Sequence, residues 1–170
     1  MSWRIRPADP ATDAVAMAAI YAPHVTDSAV SFELEAPSPA TMAERVAAHR
    51  ASGRLWLVAV DDNDCLGYAY AGAFRQRAAY DATAETSAYI AANAQGQGIG
   101  RALYRQLFAE LVETGHRQAI AVITLPNPAS ARFHEQLGFH AAGRLEAVGV
   151  KFGRSWDVGL YQRPLTAADR

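Results

Sequence analysis

The stretch from Glu85 to Leu111 most restricts what this chain can fold into, because its apolar period changes partway along. Thr86 to Ile90 is β-branched and aromatic and is predicted to be a strand. From Ile99 the residues Ile99, Leu103, Leu107 and Leu111 recur at every fourth position, the stripe of a buried helix face. Between the two, glycines at 96, 98 and 100 allow sharp bends and close approach of a ligand to successive N–H groups. Those donors open a helix, whose first turn carries roughly half a positive charge, so the loop is suited to a phosphate or pyrophosphate. Spacing narrows the ligand. Gly-x-Gly-x-x-Gly fails whether counted from Gly96, which reaches Arg101, or from Gly98, which reaches Leu103, and the lysine of a nucleotide-triphosphate loop is missing. The pattern present is Gln95-x-x-Gly98-x-Gly100, after a strand and before a helix.

With 170 residues the chain is expected to form one domain with a substantial core. Its 16 basic and 17 acidic side chains nearly cancel, which argues against bulk attraction to nucleic acid or an anionic membrane. The single cysteine, Cys65, rules out an internal disulfide, and no Cys/His group has metal-ligand spacing, so no metal is expected. A reducing cytoplasm is the expected compartment, since the first residues lack a signal core and no apolar run is long enough to span a bilayer.

In chain order, Trp3 to Arg6 is predicted to be a strand, Ala14 to Tyr21 a helix closed near Pro23, and Val30 to Glu35 a short extended piece. Ser38-Pro39 caps a helix running to about Ser52, which Gly53 ends. Leu55 to Val60 and Cys65 to Ala73 form a hairpin across Asp61-Asp62-Asn63-Asp64. After the central unit, which stops at Gly115, come a buried strand from Gln118 to Thr124 and a helix from Pro128 to Gly138. A final antiparallel pair, Phe139 to Val150 with Asp157 to Arg163, completes the chain. The expected fold class is α/β: one mixed, mostly antiparallel twisted sheet with helices on both faces, and a ligand where strand ends meet a helix start.

Four separated segments carry a resemblance. They are Tyr80-Asp81-x-Thr83-x-Glu85-Thr86-Ser87-x-Tyr89-Ile90, Leu125-Pro126-Asn127, Arg132-x-His134-Glu135-x-Leu137-Gly138-Phe139, and Lys151-Phe152-Gly153 with Asp157-Val158-Gly159. Together with the glycine loop they resemble the GCN5-related N-acetyltransferases, specifically the phosphinothricin and methionine sulfone or sulfoximine N-acetyltransferase family. The match spans about residues 3 to 165 and implies acetyl-CoA as co-substrate, a small amino-acid-like acceptor and a homodimer.

Acetyl transfer needs a deprotonated amine, stabilisation of an oxyanion and a proton for the leaving thiolate. Glu85, at the start of the central strand, is the candidate general base, the role that the resemblance also implies for it. Pantetheine is peptide-like and could pair with the backbone of Ala88, Tyr89 and Ile90, with the pyrophosphate on Gln95, Gly96, Gln97, Gly98, Ile99, Gly100 and Arg101. Arg101 opposes the helix dipole, so it either meets phosphate or is an ordinary surface arginine. Asn127 can reach the pantetheine amides or simply start a helix. His134 shares a helix face with Ser130 and serves either as the acid for the thiolate or as a cofactor-binding residue. His24, His49, His116 and His140 have no partner pattern and are read as structural.

Arg75, Arg77 and Tyr80, just ahead of the catalytic strand, could bind a substrate carboxylate. Val30 to Glu33, including Phe32, and Lys151 to Asp157 are expected to close over the substrate. Two features depart from the family: Gln95 stands where relatives usually carry a basic residue, and Ala91-Ala92-Asn93-Ala94 replaces a more polar approach. Two other readings are an acetyltransferase for polyamines or protein N-termini, which the Arg75/Arg77 loop disfavours, and a non-catalytic acyl-CoA sensor, which retention of Glu85 and His134 disfavours.

Overall fold

The computed structural model describes residues 3–62 and 64–170, so the proposed turn residue Asn63 lies outside the described residues. Among these residues seven strands form one sheet: β1 (Arg4–Pro7), β2 (Trp56–Val60), β3 (Cys65–Ala73), β4 (Thr83–Ile90), β5 (Gln118–Leu125), β6 (His140–Lys151) and β7 (Arg154–Pro164). Their order across the sheet is β1-β2-β3-β4-β5-β7-β6. Every neighbouring pair is antiparallel except β4 and β5. The helices are α1 (Ala14–Thr26), α2 (Pro39–Ala51), α3 (Ile99–Glu113) and α4 (Pro128–Gln136). Among the described residues, no helix is long and apolar enough to cross a membrane.

Strand alternation divides the core into two layers. In β2, Trp56, Val58 and Val60 pack with Met17, Tyr21 and Val25 of α1 and Met42 and Val46 of α2. Leu57 and Ala59 face the other way, onto Ile99, Leu103, Leu107 and Leu111 of α3. The every-fourth stripe is therefore the buried face of α3, each leucine contributing about 2 kcal/mol by leaving water. The helices lie on both faces of the sheet, as expected.

One local expectation is corrected. α1 does not close near Pro23 but continues to Thr26, because Tyr21 and Val25 are buried on the α1/α2 side and their packing outweighs the hydrogen bond that proline cannot make. Val30 to Glu35, expected as a short extended piece, joins no sheet. Its polar groups are used locally: Ser31 Oγ accepts from the Glu33 N–H at 3.1 Å and shares a 2.7 Å hydrogen bond with the Tyr21 hydroxyl. Arg45 holds both Glu33 oxygens, at 2.8 and 2.9 Å.

This loop is fastened to the far end of the sheet. Lys151, 4 % exposed, donates from Nζ to the carbonyls of Val25 at 2.6 Å, Ser28 at 3.0 Å and Ser31 at 2.6 Å. Phe32 lies directly on the backbone of Gly149, where a side chain would overlap its ring.

Candidate active site

The site begins where two strands part. β4 and β5 pair only at Thr83↔Gln118, Ala84↔Ala119 and Glu85↔Ile120. Beyond that point β4 stays with β3 as far as Ile90 and β5 stays with β7 as far as Leu125, so a cleft opens through the sheet. At its apex the Thr86 hydroxyl donates to the Ile120 carbonyl at 3.3 Å. Ser87, Ala88, Val122, Thr124 and Asn127 line its sides, with Val30 towards one face and Tyr104 and His134 towards the other.

The β3–β4 ladder ends with the Ala91 N–H donating to the Leu66 carbonyl at 3.0 Å. By antiparallel alternation the backbone groups of Tyr89 also point to β3, while those of Ala88 and Ile90 point into the cleft. That open edge suits an extended amide-bearing ligand. Tyr89 instead contributes its ring, packed edge-on against Tyr21 at 4.9 Å.

The cleft leads to the glycine loop. Gly98 is the N-cap of α3, at φ 80°, and no side chain caps this helix start. The first N–H paired within the helix is that of Ala102, bonded to the Gly98 carbonyl at 3.0 Å, which leaves the donors of Ile99, Gly100 and Arg101 for an anion. Gly96 and Gly98 have positive φ and open space around them, so they serve backbone conformation. Gly100 serves packing: a Cβ there would lie 3.2 Å from the Phe133 ring of α4. Ile99 buries its side chain, Gln95 is exposed, Gln97 Nε2 donates to the Asn93 carbonyl at 3.0 Å, and Arg101 reaches Gln136 Oε1 at 3.2 Å.

Glu85 lies at the apex of the cleft. Ala84 faces α3, so Glu85, Ser87 and Tyr89 face α1 and α2. Burial pushes the Glu85 carboxyl above its ordinary range, and the charge of Arg75 opposes that rise. Arg75 is therefore electrostatically coupled to Glu85, with its guanidinium 5.0 Å from the centre of the Phe74 ring. Tyr80 packs edge-on against Phe74 at 5.9 Å, whereas Arg77 is exposed and its carbonyl accepts the Tyr80 N–H. Phe32 sits over the β6–β7 hairpin rather than beside these arginines.

On the α3 face, His134 is 8 % exposed. Its Nδ1 lies 2.8 Å from the Ser130 carbonyl, which can only accept, so Nδ1 carries the proton. Nε2 is then an acceptor for the Tyr104 hydroxyl at 3.0 Å. Burial lowers the imidazole below its ordinary value, with the Ser130 carbonyl opposing. Burial raises the Tyr104 phenol well above its ordinary value. Asn127 Oδ1 accepts the Ser130 N–H at 3.1 Å, capping α4, so its amide nitrogen is the end left for the cleft. Sequence reasoning missed Tyr104; its only signal was a phenol within the apolar stripe of α3, where a buried hydroxyl needs a partner.

A strand pair that parts around an open backbone edge, continuing into an uncapped helix start, matches what an acyl-CoA needs. The model of the Acetyltransferase (GNAT) family matches residues 21–139. The chain belongs to this family. It is 46% identical over 158 residues to a phosphinothricin N-acetyltransferase of Alcaligenes faecalis, covering 92% of this chain and 80% of the relative. It is 37% identical over 109 residues, 64% of each chain, to an L-methionine sulfoximine/L-methionine sulfone acetyltransferase of Salmonella typhimurium. A crystal structure of a phosphinothricin acetyltransferase from Sinorhizobium meliloti in complex with AcCoA superposes with a TM-score of 0.90 at 39% identity, over 97% of this chain and 89% of that one. The chain is accordingly an acetyl-CoA-dependent N-acetyltransferase of the GNAT family.

Proposed function

We propose that this acetyltransferase moves acetyl from acetyl-CoA directly to the α-amine of a small amino-acid-like acceptor such as phosphinothricin, methionine sulfoximine or methionine sulfone. The observation that carries this reading is the position of Glu85 on one face of the parted strands and of Tyr104 and His134 on the other. The pantetheine arm lies along Ala88 and Ile90, with Asn127 opposite. The pyrophosphate meets the donors from Gly96 to Arg101 and the thioester rests in the cleft.

The amine approaches from the α1/α2 face. Glu85, whose raised pKa makes it a stronger base than an exposed carboxylate, takes a proton from the ammonium. Glu85 releases that proton to solvent, the nitrogen attacks the thioester carbonyl, the C–N bond forms, the C–S bond breaks, the nitrogen's second proton passes to Glu85, and the thiolate leaves towards the opposite face. There the Tyr104 hydroxyl turns its proton from His134 Nε2 to the sulfur, and its oxygen regains a proton from solvent once CoA has left. An N–H of the β4 edge faces the oxyanion. The only cysteine, Cys65, pairs with Val60 at the opposite end of β3 from Gly72, the partner of Glu85, and burial pushes its thiol up to about 11. It is a poor carrier of acetyl, which favours direct transfer.

Arg75 and Arg77 would hold the acceptor carboxylate. The enzyme works in the cytoplasm as a homodimer whose apolar hairpin face meets a second copy. The test is CoA thiol release with phosphinothricin, methionine sulfoximine, methionine sulfone, ordinary amino acids, a polyamine and a peptide. Release is expected with the first three, and Glu85→Gln is expected to lower kcat about 100-fold or more. Release only with the polyamine or peptide would overturn the acceptor class, and an unaltered Glu85→Gln rate would remove the base.

A further inference from the structure

Beside Glu85, on the same face of the sheet, lies a cavity of ≈ 240 Å³ that the mechanism above does not use. Tyr21, Met42, Tyr68 and Tyr70 wall it, and Trp56 and His49 face each other within it, edge to face at 4.9 Å. Trp56 Nε1 and His49 Nε2 are both buried and have no hydrogen-bond partner among the described residues. An unsatisfied buried polar atom typically costs about 1–3 kcal/mol, so two beside one cavity mark a place for a polar group of water or of a ligand. The Arg45 carbonyl engages the other nitrogen of His49, which leaves Nε2 a bare acceptor, and burial holds this imidazole below its ordinary value and so uncharged. The indole Nε1–H can only donate.

The cavity is placed to share a substrate with Glu85. Trp56 pairs with Tyr70, and Tyr70 with Ser87, two residues along β4 from Glu85. Tyr70 and Glu85 are diagonal neighbours on one face of the β3–β4 pair, since Tyr70 lies opposite Ser87 and Glu85 opposite Gly72. Gly72 is the strand partner of Glu85, and a Cβ on it would lie 3.9 Å from His49 Nε2. Two strand spacings and one two-residue step separate the Trp56 and Glu85 backbones by about 12 Å. Their side chains shorten that to the length of a methionine-sized amino acid. At the mouth Arg45 is neutralised by Glu33, so the cavity presents no free charge.

Resting on the functional reading above, we propose that this cavity receives the oxidised end of the acceptor's side chain, Trp56 Nε1–H donating to an oxygen on that centre and His49 Nε2 accepting from an N–H on it. The aromatic walls take the adjoining methyl and methylene groups. One donor and one acceptor match an uncharged centre bearing both S=O and S=N–H. A sulfone offers two acceptors and leaves His49 unsatisfied. The site therefore ranks methionine sulfoximine above methionine sulfone, and both above unoxidised methionine.

The experiment compares kcat/KM for methionine sulfoximine, methionine sulfone and L-methionine in the parent enzyme, Trp56→Phe and His49→Leu. The sulfoximine-to-methionine ratio is expected to fall about tenfold or more in Trp56→Phe, and the sulfoximine-to-sulfone preference to vanish in His49→Leu, a loss corresponding to one hydrogen bond. Unchanged ratios overturn the assignment, as does an equal loss for all three acceptors. A second measurement works without turnover: the Trp56 indole N–H resonance, identified by its absence in Trp56→Phe, is followed in CoA-loaded protein as methionine sulfoximine is added. A saturable shift supports the subsite even where no acceptor is acetylated, in which case the functional reading alone falls; no shift overturns the subsite.

Discussion

Glu85 combines a catalytic requirement with a cost in stability. Its carboxyl is raised above the ordinary value of 4.5, mainly by burial. Between that value and the raised folded value, the folded protein holds a proton that the unfolded chain has released, so stability falls as pH rises through the window. Glu85→Gln removes this penalty. The variant is expected to melt at the parent's temperature or above it at pH 7, with the difference closing below about pH 4, as thermal melts across pH would show. Tyr104 is a second case. Tyr104→Phe removes the proton donor and orphans His134 Nε2. It is expected to lower kcat about tenfold or more while the KM for acetyl-CoA stays within about twofold. Steady-state kinetics in both substrates separates that outcome from a general loss of fold.

At the scale of elements, function depends on where regular pairing stops. β4 and β5 share three residue pairs and then part, and the cleft exists because β3 and β7 hold the two strands separately. The α1–α2 loop, a neighbour of the acceptor side, is held from β6 by Lys151. Lys151→Met would leave the carbonyls of Val25, Ser28 and Ser31 facing an apolar chain. The expected loss is about 3 kcal/mol, seen as a melting temperature lower by several degrees, because buried carbonyls would lose their donor. Loosening of this loop is also expected to raise the KM for the amine while leaving acetyl-CoA affinity unchanged, which calorimetry with acetyl-CoA and amine titrations would check.

For the whole molecule, four of the exposed apolar side chains among the described residues lie on the β6–β7 hairpin: Leu145 at 45%, Val148 at 56%, Val150 at 69% and Phe152 at 57%. Such a patch on a chain of net charge −1 is suited to a second copy. Sedimentation is expected to give twice the 18.3 kDa chain mass for the parent and a single chain for Val150→Asp. A monomeric parent would remove the dimer from the proposed function.

The strand, glycine loop and α3 were legible in the sequence because each is set by short-range effects: apolar period, positive φ at Gly96 and Gly98, and a helix start without a side-chain cap. The cap at Ser38 and the exact span of β3 were legible for the same reason. The misjudged end of α1 arose where distant burial overrode local preference, and the Tyr21–Ser31–Glu33–Arg45 network that holds Val30–Glu35 could not be read from local pattern. Glu85 and His134 could be singled out in the chain, but not their placement on opposite faces of one cleft. Only the tertiary structure decided that, because strand register sets which side each residue faces and a shift of one position would reverse it. The meeting of Tyr104 with His134, and of His49 with Trp56 and Tyr70, likewise depends on sheet order and helix packing, through contacts that no local pattern in the chain encodes.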